Sequence, residues 1–218
     1  MKIKNVLFDL DGTLVDSFEG VSNCIIYALE KMNWPMLTKE QTRPFLGPPL
    51  PNSFMKYCNM TSEQADRAVE LYRERYSAKG IFEGSVFDKI PELLQYLKSQ
   101  KIRLFVATSK PQHYAEQSLA HFGINKYFEM ILGVNPSNTV EDKSGLLSAI
   151  IDKFSLDKNE TAMVGDRMFD IDAAKNVGVM SIGIINGCDT LSELKEHGAD
   201  VIVENAAVLE NFFKENGE

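Results

Sequence analysis

The chain has 218 residues, 44% hydrophobic and 25% charged, with a formal net charge of -8. That length allows one or two domains with a sizeable core, and an acidic balance without a basic block argues against general affinity for nucleic acid or an anionic membrane. No apolar run approaches the length of a membrane helix. The three cysteines, Cys24, Cys58 and Cys188, lie far apart without a CxxC pair, which predicts reduced thiols in a cytoplasmic protein.

The first apolar run, Ile3–Phe8, predicts a buried strand that stops at Asp9 and Asp11. It is too short for a signal peptide, and acidic residues follow it at once, so no leader is expected. Side chains at i and i+2 share one side of an extended backbone. Two carboxylates held that close favour a positive charge between them, and Mg²⁺, a hard cation that takes oxygen ligands, would supply it. Gly12 then permits a sharp turn.

From about Ser17 to Gly80 no strand is predicted. Ser17 fits a helix N-cap before a Val21, Ile25, Leu29, Met32 stripe, and Trp34-Pro35 ends that helix. Thr38 with Gln41, and Thr61 with Gln64, fit capping boxes. Ala65, Ala68, Leu71, Tyr72 and Tyr76 mark one face of a longer helix. Between them, Phe45–Leu50 (FLGPPL) is a helix-to-helix break, with Arg43 just before it. The segment reads as a helical insert over 17–80 that divides a core made of 1–16 and 81–218.

Beyond the insert, Ile102–Ala107, Met130–Val134, Thr161–Val164, Met180–Ile185 and Val201–Val203 read as strands. They alternate with helical patterns over Pro91–Ser99, Pro111–Phe122, Ser144–Phe154, Asp170–Val177 and Leu191–His197. Such alternation predicts an α/β fold with a Rossmann-like parallel sheet covered on both faces, whose ligands bind at the carboxyl ends of the strands. Polar residues collect at those ends. Thr108, Ser109 and Lys110 precede Pro111, a helix-start signal. Glu141-Asp142-Lys143-Ser144-Gly145 opens a helix, although a Lys there opposes the helix dipole. Gly165-Asp166 ends another strand, with Asp170 four residues on. His113, His121 and His197 are not clustered and read as helix-surface or helix-end residues.

The stretch Asp9-Leu10-Asp11-Gly12-Thr13 resembles the DxDGT signature of the haloacid dehalogenase superfamily of phosphohydrolases. The other strand ends are similar to that family's second, third and fourth signatures, and the helical insert sits where the family carries a cap domain. The resemblance implies an aspartyl-phosphate mechanism on a small-molecule phosphate ester. Asp9 would be the nucleophile, Asp11 the general acid/base, Thr108 a phosphoryl-oxygen ligand and Lys143 the neutralising lysine, with Lys110 a competing candidate. Mg²⁺ would be held by Asp9, by Asp11 through its main-chain carbonyl, and by Asp166, with Asp170 in the outer sphere or bound through water. Gly12, Thr13, Ser109 and Lys110 would meet the phosphate, and Arg43 and Gly47 of the insert the leaving group.

FLGPPL, ATSKP, GDRMFD and residues 75–83 look most like bacterial 5′-nucleotidases of the phosphoglycolate-phosphatase-like branch. Val134–Val140 is an unusual loop, and Arg167 and Met168 fall at variable positions. Phosphoglycolate phosphatase is the alternative. A sugar phosphomutase, which usually has Val in place of Thr13, or a non-catalytic regulatory module of the same fold is less favoured. A monomer or homodimer is expected, without nucleic-acid or membrane partners.

Overall fold

The computed structural model describes residues 2–135, 142–186 and 190–216. Most of Val134–Val140, Glu141 and Cys188 lie outside them. The chain divides into two compact units, Met1–Asp16 with Val86–Glu218, and Ser17–Ser85.

The first unit is built on a six-stranded sheet. In chain order its strands are β1 (Asn5–Phe8), β4 (Arg103–Pro111), β5 (Met130–Val134), β6 (Thr161–Gly165), β7 (Met180–Ile184) and β8 (Val201–Val203). β2 (Val15–Asp16) and β3 (Ser85–Val86) are two-residue strands at the passage between the units. The sheet order is β5-β4-β1-β6-β7-β8, and the described pairings are parallel. β1 is therefore internal, with Phe8 level with Val106 of β4 and Val164 of β6. This register brings the residues that follow Phe8, Val106 and Val164 to the carboxyl ends of neighbouring strands.

Successive β1 side chains serve opposite faces, as a strand requires. Val6 and Phe8 join Leu93, Leu97, Leu119 and Leu209, from α4 (Ile90–Ser99), α5 (Gln112–His121) and α9 (Ala206–Glu215). Leu7 joins Leu146, Leu147, Ile150 and Ala174, from α6 (Lys143–Phe154) and α7 (Met168–Val177). Each buried Val, Leu, Ile or Phe among these contributes about 1.5–3 kcal/mol when removed from water, so both faces are held by helices. α9 was not anticipated. Its signals are Asn205, whose side chain accepts from the Ala207 and Val208 N–H groups, and the Leu209, Phe213 spacing.

The second unit comprises α1 (Phe18–Lys31), a 3-10 turn over Glu40–Phe45, α2 (Leu50–Cys58), α3 (Ser62–Ala78) and a 3-10 turn over Gly80–Phe82. Both capping boxes form: Thr38 and Gln41 bond reciprocally at 2.8 and 3.3 Å, and Thr61 and Gln64 at 2.9 and 3.3 Å. The first, however, opens the 3-10 turn rather than an α-helix. Ser17 precedes α1, but its side chain makes no cap bond, and Met32 falls beyond the last helical residue.

This unit runs to Ser85, beyond the expected end at Gly80, for a packing reason. Gly80 lies against Gly20 of α1, where an added Cβ on Gly20 would stand 2.0 Å from the Gly80 carbonyl oxygen. Three residues later Glu83 takes a two-pronged pair from Arg75 of α3 at 2.7 and 2.9 Å. That guanidinium also touches the buried Cys24 thiol at 3.4 Å. Burial pushes this thiol up to about 11 despite the arginine.

Candidate active site

Asp9 extends the β1 ladder by one residue, its N–H donating to the Val164 carbonyl at 2.9 Å. The backbone is thus fixed, and Asp9 is 8% exposed. Its Oδ2 meets Lys143 Nζ at 2.9 Å, and its Oδ1 is buried with no hydrogen-bond partner among the described residues. Lys143, the first residue of α6, also bonds Asp170, which explains a lysine at a helix start: the ammonium faces carboxylates and is not left to the dipole. Asp142 caps that helix, accepting from the Gly145 N–H at 2.9 Å.

Asp166 and Asp170 follow β6. Carboxylate oxygens of Asp9, Asp166 and Asp170 lie within 4.8 Å of one another. The turn is closed by Asp170, which accepts from the Arg167 N–H at 3.0 Å. Gly165 has no room for a side chain, because an added Cβ would stand 2.0 Å from Asp170 Cγ. Burial, then the Asp170 and Asp9 charges, holds the Asp166 carboxyl well above the usual range. Burial likewise raises Asp170, to about 6, against the lowering pull of Lys143. Burial alone would push the Lys143 ammonium down, but Asp170 and Asp9 outweigh it and raise it.

Three carboxylates against one ammonium leave an excess of two negative charges when all are ionised. With Asp9 Oδ1 unpartnered, this all-oxygen set fits a hard divalent cation such as Mg²⁺. Asp11 is not in the side-chain cluster. Its two carboxylate oxygens meet Lys110 Nζ at 2.7 and 2.9 Å. The two lysines are therefore divided, Lys143 to the Asp9–Asp170 pair and Lys110 to Asp11.

β4 extends through Ser109 and Lys110, past the expected end at Ala107. Its register slips between Thr108 and Pro111, a bulge that re-aims side chains next to a site. Thr108 is 2% exposed and Lys110 8%, whereas Ser109 between them is exposed. The Lys110 N–H donates to Thr108 Oγ1 at 3.3 Å.

Gly12 has φ +84°, and an added Cβ would stand 2.2 Å from Asp166 Oδ2. Thr13 is fully buried, and its hydroxyl donates to Asp166 Oδ1 at 3.1 Å. The Thr13 side chain thus holds Asp166. Asn186, just after β7, was not foreseen. Its Nδ2 donates to the Gly12 and Thr13 carbonyls at 3.1 and 2.9 Å, at φ +46°. The Asn-Gly dipeptide was its only sequence signal. In the helical unit, Arg43 is exposed and its guanidinium lies 4.2 Å from the Phe18 ring centroid, while Gly47 has φ +98°.

The family described as haloacid dehalogenase-like hydrolase matches residues 6–184. The chain belongs to that family. It is 36% identical over 197 residues to a 5′-nucleotidase of Pseudomonas aeruginosa, covering 90% of this chain and 89% of the relative. It is 26% identical over 215 residues to a phosphoglycolate phosphatase of Vibrio parahaemolyticus, covering 95% and 94%. A solved haloacid dehalogenase-like hydrolase from Streptococcus pneumoniae superposes with a TM-score of 0.90 at 30% identity, over 97% of this chain and 98% of that one. The protein is a haloacid dehalogenase-type phosphatase, a phosphoric monoester hydrolase. No helix among the described residues is long and apolar enough to cross a membrane.

Proposed function

We propose that the site hydrolyses nucleoside 5′-monophosphates through a phosphoryl group carried transiently on Asp9. The observation that carries this reading is the Asp9 carboxylate itself, one oxygen on Lys143 and the other buried without a partner among the described residues. A carboxylate so placed is oriented and has an oxygen available to a cation or a reacting phosphorus.

In the first step an Asp9 oxygen forms a bond to phosphorus, and the bond from phosphorus to the ester oxygen breaks. Asp11, in its protonated form, gives its proton to the departing alkoxide, which leaves as the alcohol. In the second step water attacks the same phosphorus, Asp11 takes the water's proton, and the Asp9–phosphorus bond breaks to release phosphate. Lys143 neutralises the nucleophile, and Lys110 orients Asp11. Thr108 and Ser109 offer hydroxyls for the phosphoryl oxygens, and the Gly12 turn brings backbone close. Asp9, Asp166, Asp170 and the Asp11 carbonyl would hold Mg²⁺, which supplies charge neutralisation between the anionic nucleophile and substrate.

The helical unit is assigned the role of a cap that selects the leaving group, because the core residues address only the phosphoryl group common to every ester. Nucleotides are placed first because of the 36% identical relative named 5′-nucleotidase, and phosphoglycolate second. The test measures kcat/KM with Mg²⁺ on a nucleoside monophosphate, phosphoglycolate and an aryl phosphate. Arg43→Ala is expected to change the three unequally, and Asp11→Asn to depress all three. Equal scaling by Arg43→Ala removes Arg43 from selectivity. A wild type that ignores nucleotides but turns over phosphoglycolate overturns the nucleotide assignment and leaves the phosphatase standing.

A further inference from the structure

We propose that Glu193 is a positioning residue that fixes the Asp166–Asp170 turn in its cation-binding shape. The inference rests on the reading of Asp9, Asp166 and Asp170 as a metal site. Glu193 lies on the short helix α8 (Leu191–Glu196), 27 residues beyond Asp166 in sequence. Its carboxylate accepts from Arg167 Nε at 2.9 Å, Arg167 Nη2 at 3.3 Å and the Met168 N–H at 2.7 Å. Arg167 and Met168 are the two residues that follow Asp166, and the Arg167 N–H is bonded to Asp170. One carboxylate thus grips the middle of the turn whose two ends are the proposed ligands.

The turn needs such a grip. Asp166 and Asp170 are buried and repel each other when ionised, so left to themselves they would move apart. The Met168 N–H is one of the unpaired donors at the start of α7, and Glu193 satisfies it. The charge-assisted bonds to a guanidinium, 23% exposed in its side chain against 27% for Glu193, are of the stronger kind. Ligands oriented by an outer partner bind metal more tightly, and loss of such a partner typically costs about 10–100-fold in affinity.

A purely structural staple between α7 and α8 would behave differently. A second tie between these helices serves as the comparison: His197 Nδ1 with Asp172 at 2.8 Å, supported by Lys175 Nζ on the His197 carbonyl at 2.5 Å. The experiment titrates the full chain with Mn²⁺, following free Mn²⁺ by electron paramagnetic resonance, alongside thermal melts without metal. Glu193→Ala is expected to raise the Mn²⁺ dissociation constant about 10-fold or more. Glu193→Gln, which keeps one acceptor oxygen, should raise it less. Asp172→Ala should lower the melting temperature yet leave the constant within about twofold. If Glu193→Ala does not fold, Glu193→Gln decides: an unchanged constant overturns the proposal. An effect of Asp172→Ala as large as that of Glu193→Ala or Glu193→Gln also overturns it, since any loosening of α8 would then suffice. Wild type that binds no Mn²⁺ sinks the metal reading and this inference with it, whereas binding that is equal in wild type and variants sinks only the latter.

Discussion

Asp9 combines three conditions in one residue: a backbone fixed by the ladder, one oxygen on a buried lysine and one oxygen without a partner among the described residues. Asp9→Asn keeps the shape but cannot form the acyl phosphate. Turnover should fall by about 10³-fold or more with the far-ultraviolet circular dichroism unchanged, and near-wild-type activity would refute the mechanism. Asn186 acts by a different route. Its two bonds to the Gly12 and Thr13 carbonyls hold the turn that also carries the Thr13–Asp166 contact. Asn186→Ala is expected to cost about 1 kcal/mol of stability, the usual net worth of a hydrogen bond at such a partly buried site, and to lower kcat more than it raises KM. Denaturant unfolding and steady-state kinetics check both, and a variant with wild-type kcat would remove Asn186 from the positioning of the turn.

At the scale of elements, helix starts and close approaches carry much of the design. Asp142 caps α6 and so sets where Lys143 stands. Asp142→Ala should cost about 1 kcal/mol, the usual worth of a cap, measured by chemical denaturation. An unchanged midpoint would mean that α6 is fixed by Lys143 and its core face alone. In the helical unit Gly20 and Gly80 approach closely, and a Cβ on Gly20 would meet backbone that cannot swing aside. Gly20→Ala should destabilise this unit by about 1–3 kcal/mol, the range for overpacking, even though alanine favours helix. Limited proteolysis should then cut within 17–85 before the core, and resistance equal to wild type would show that the approach relaxes.

For the whole molecule, the buried acids couple stability to pH and to metal. Asp166 and Asp170 are both raised, Asp170 to about 6, above an unfolded value near 3.9. Between those values the metal-free native protein holds more protons than the unfolded chain. The stability Asp170 contributes is therefore fully present in acid below the unfolded value and is lost as pH rises through about 6, while that of Asp166 is lost in the same direction as pH rises through its own raised value. Cation binding must displace the same protons, so it runs the other way. Mg²⁺ should raise the melting temperature more at about pH 7.5 than at about pH 5.5, each measured against the chelated protein at the same pH. Equal shifts at both pH values would contradict protonated ligands in the metal-free state. Exhaustive chelation should abolish hydrolysis and added Mg²⁺ restore it, and full activity in chelator would remove the metal from the reaction.

Strand and helix periodicity, together with polar residues at strand ends, determined the parallel sheet, its strand positions to within a residue or two in most cases, and the chemical types available at its edge. Those signals are local, because hydrophobic period and turn residues act over a few positions. Tertiary structure decided which charge faces which. Sequence left Lys110 and Lys143 as rivals, and only the sheet order with the β4 bulge sends Lys110 to Asp11 and leaves Lys143 between Asp9 and Asp170. It also turned Thr13 inward to Asp166 and brought Asn186 and Glu193 onto the turns that follow β1 and β6 from 173 and 25 residues away. No spacing rule reports such contacts, since hydrogen bonds between distant loops are set by how strands are ordered and not by what lies beside them in the chain.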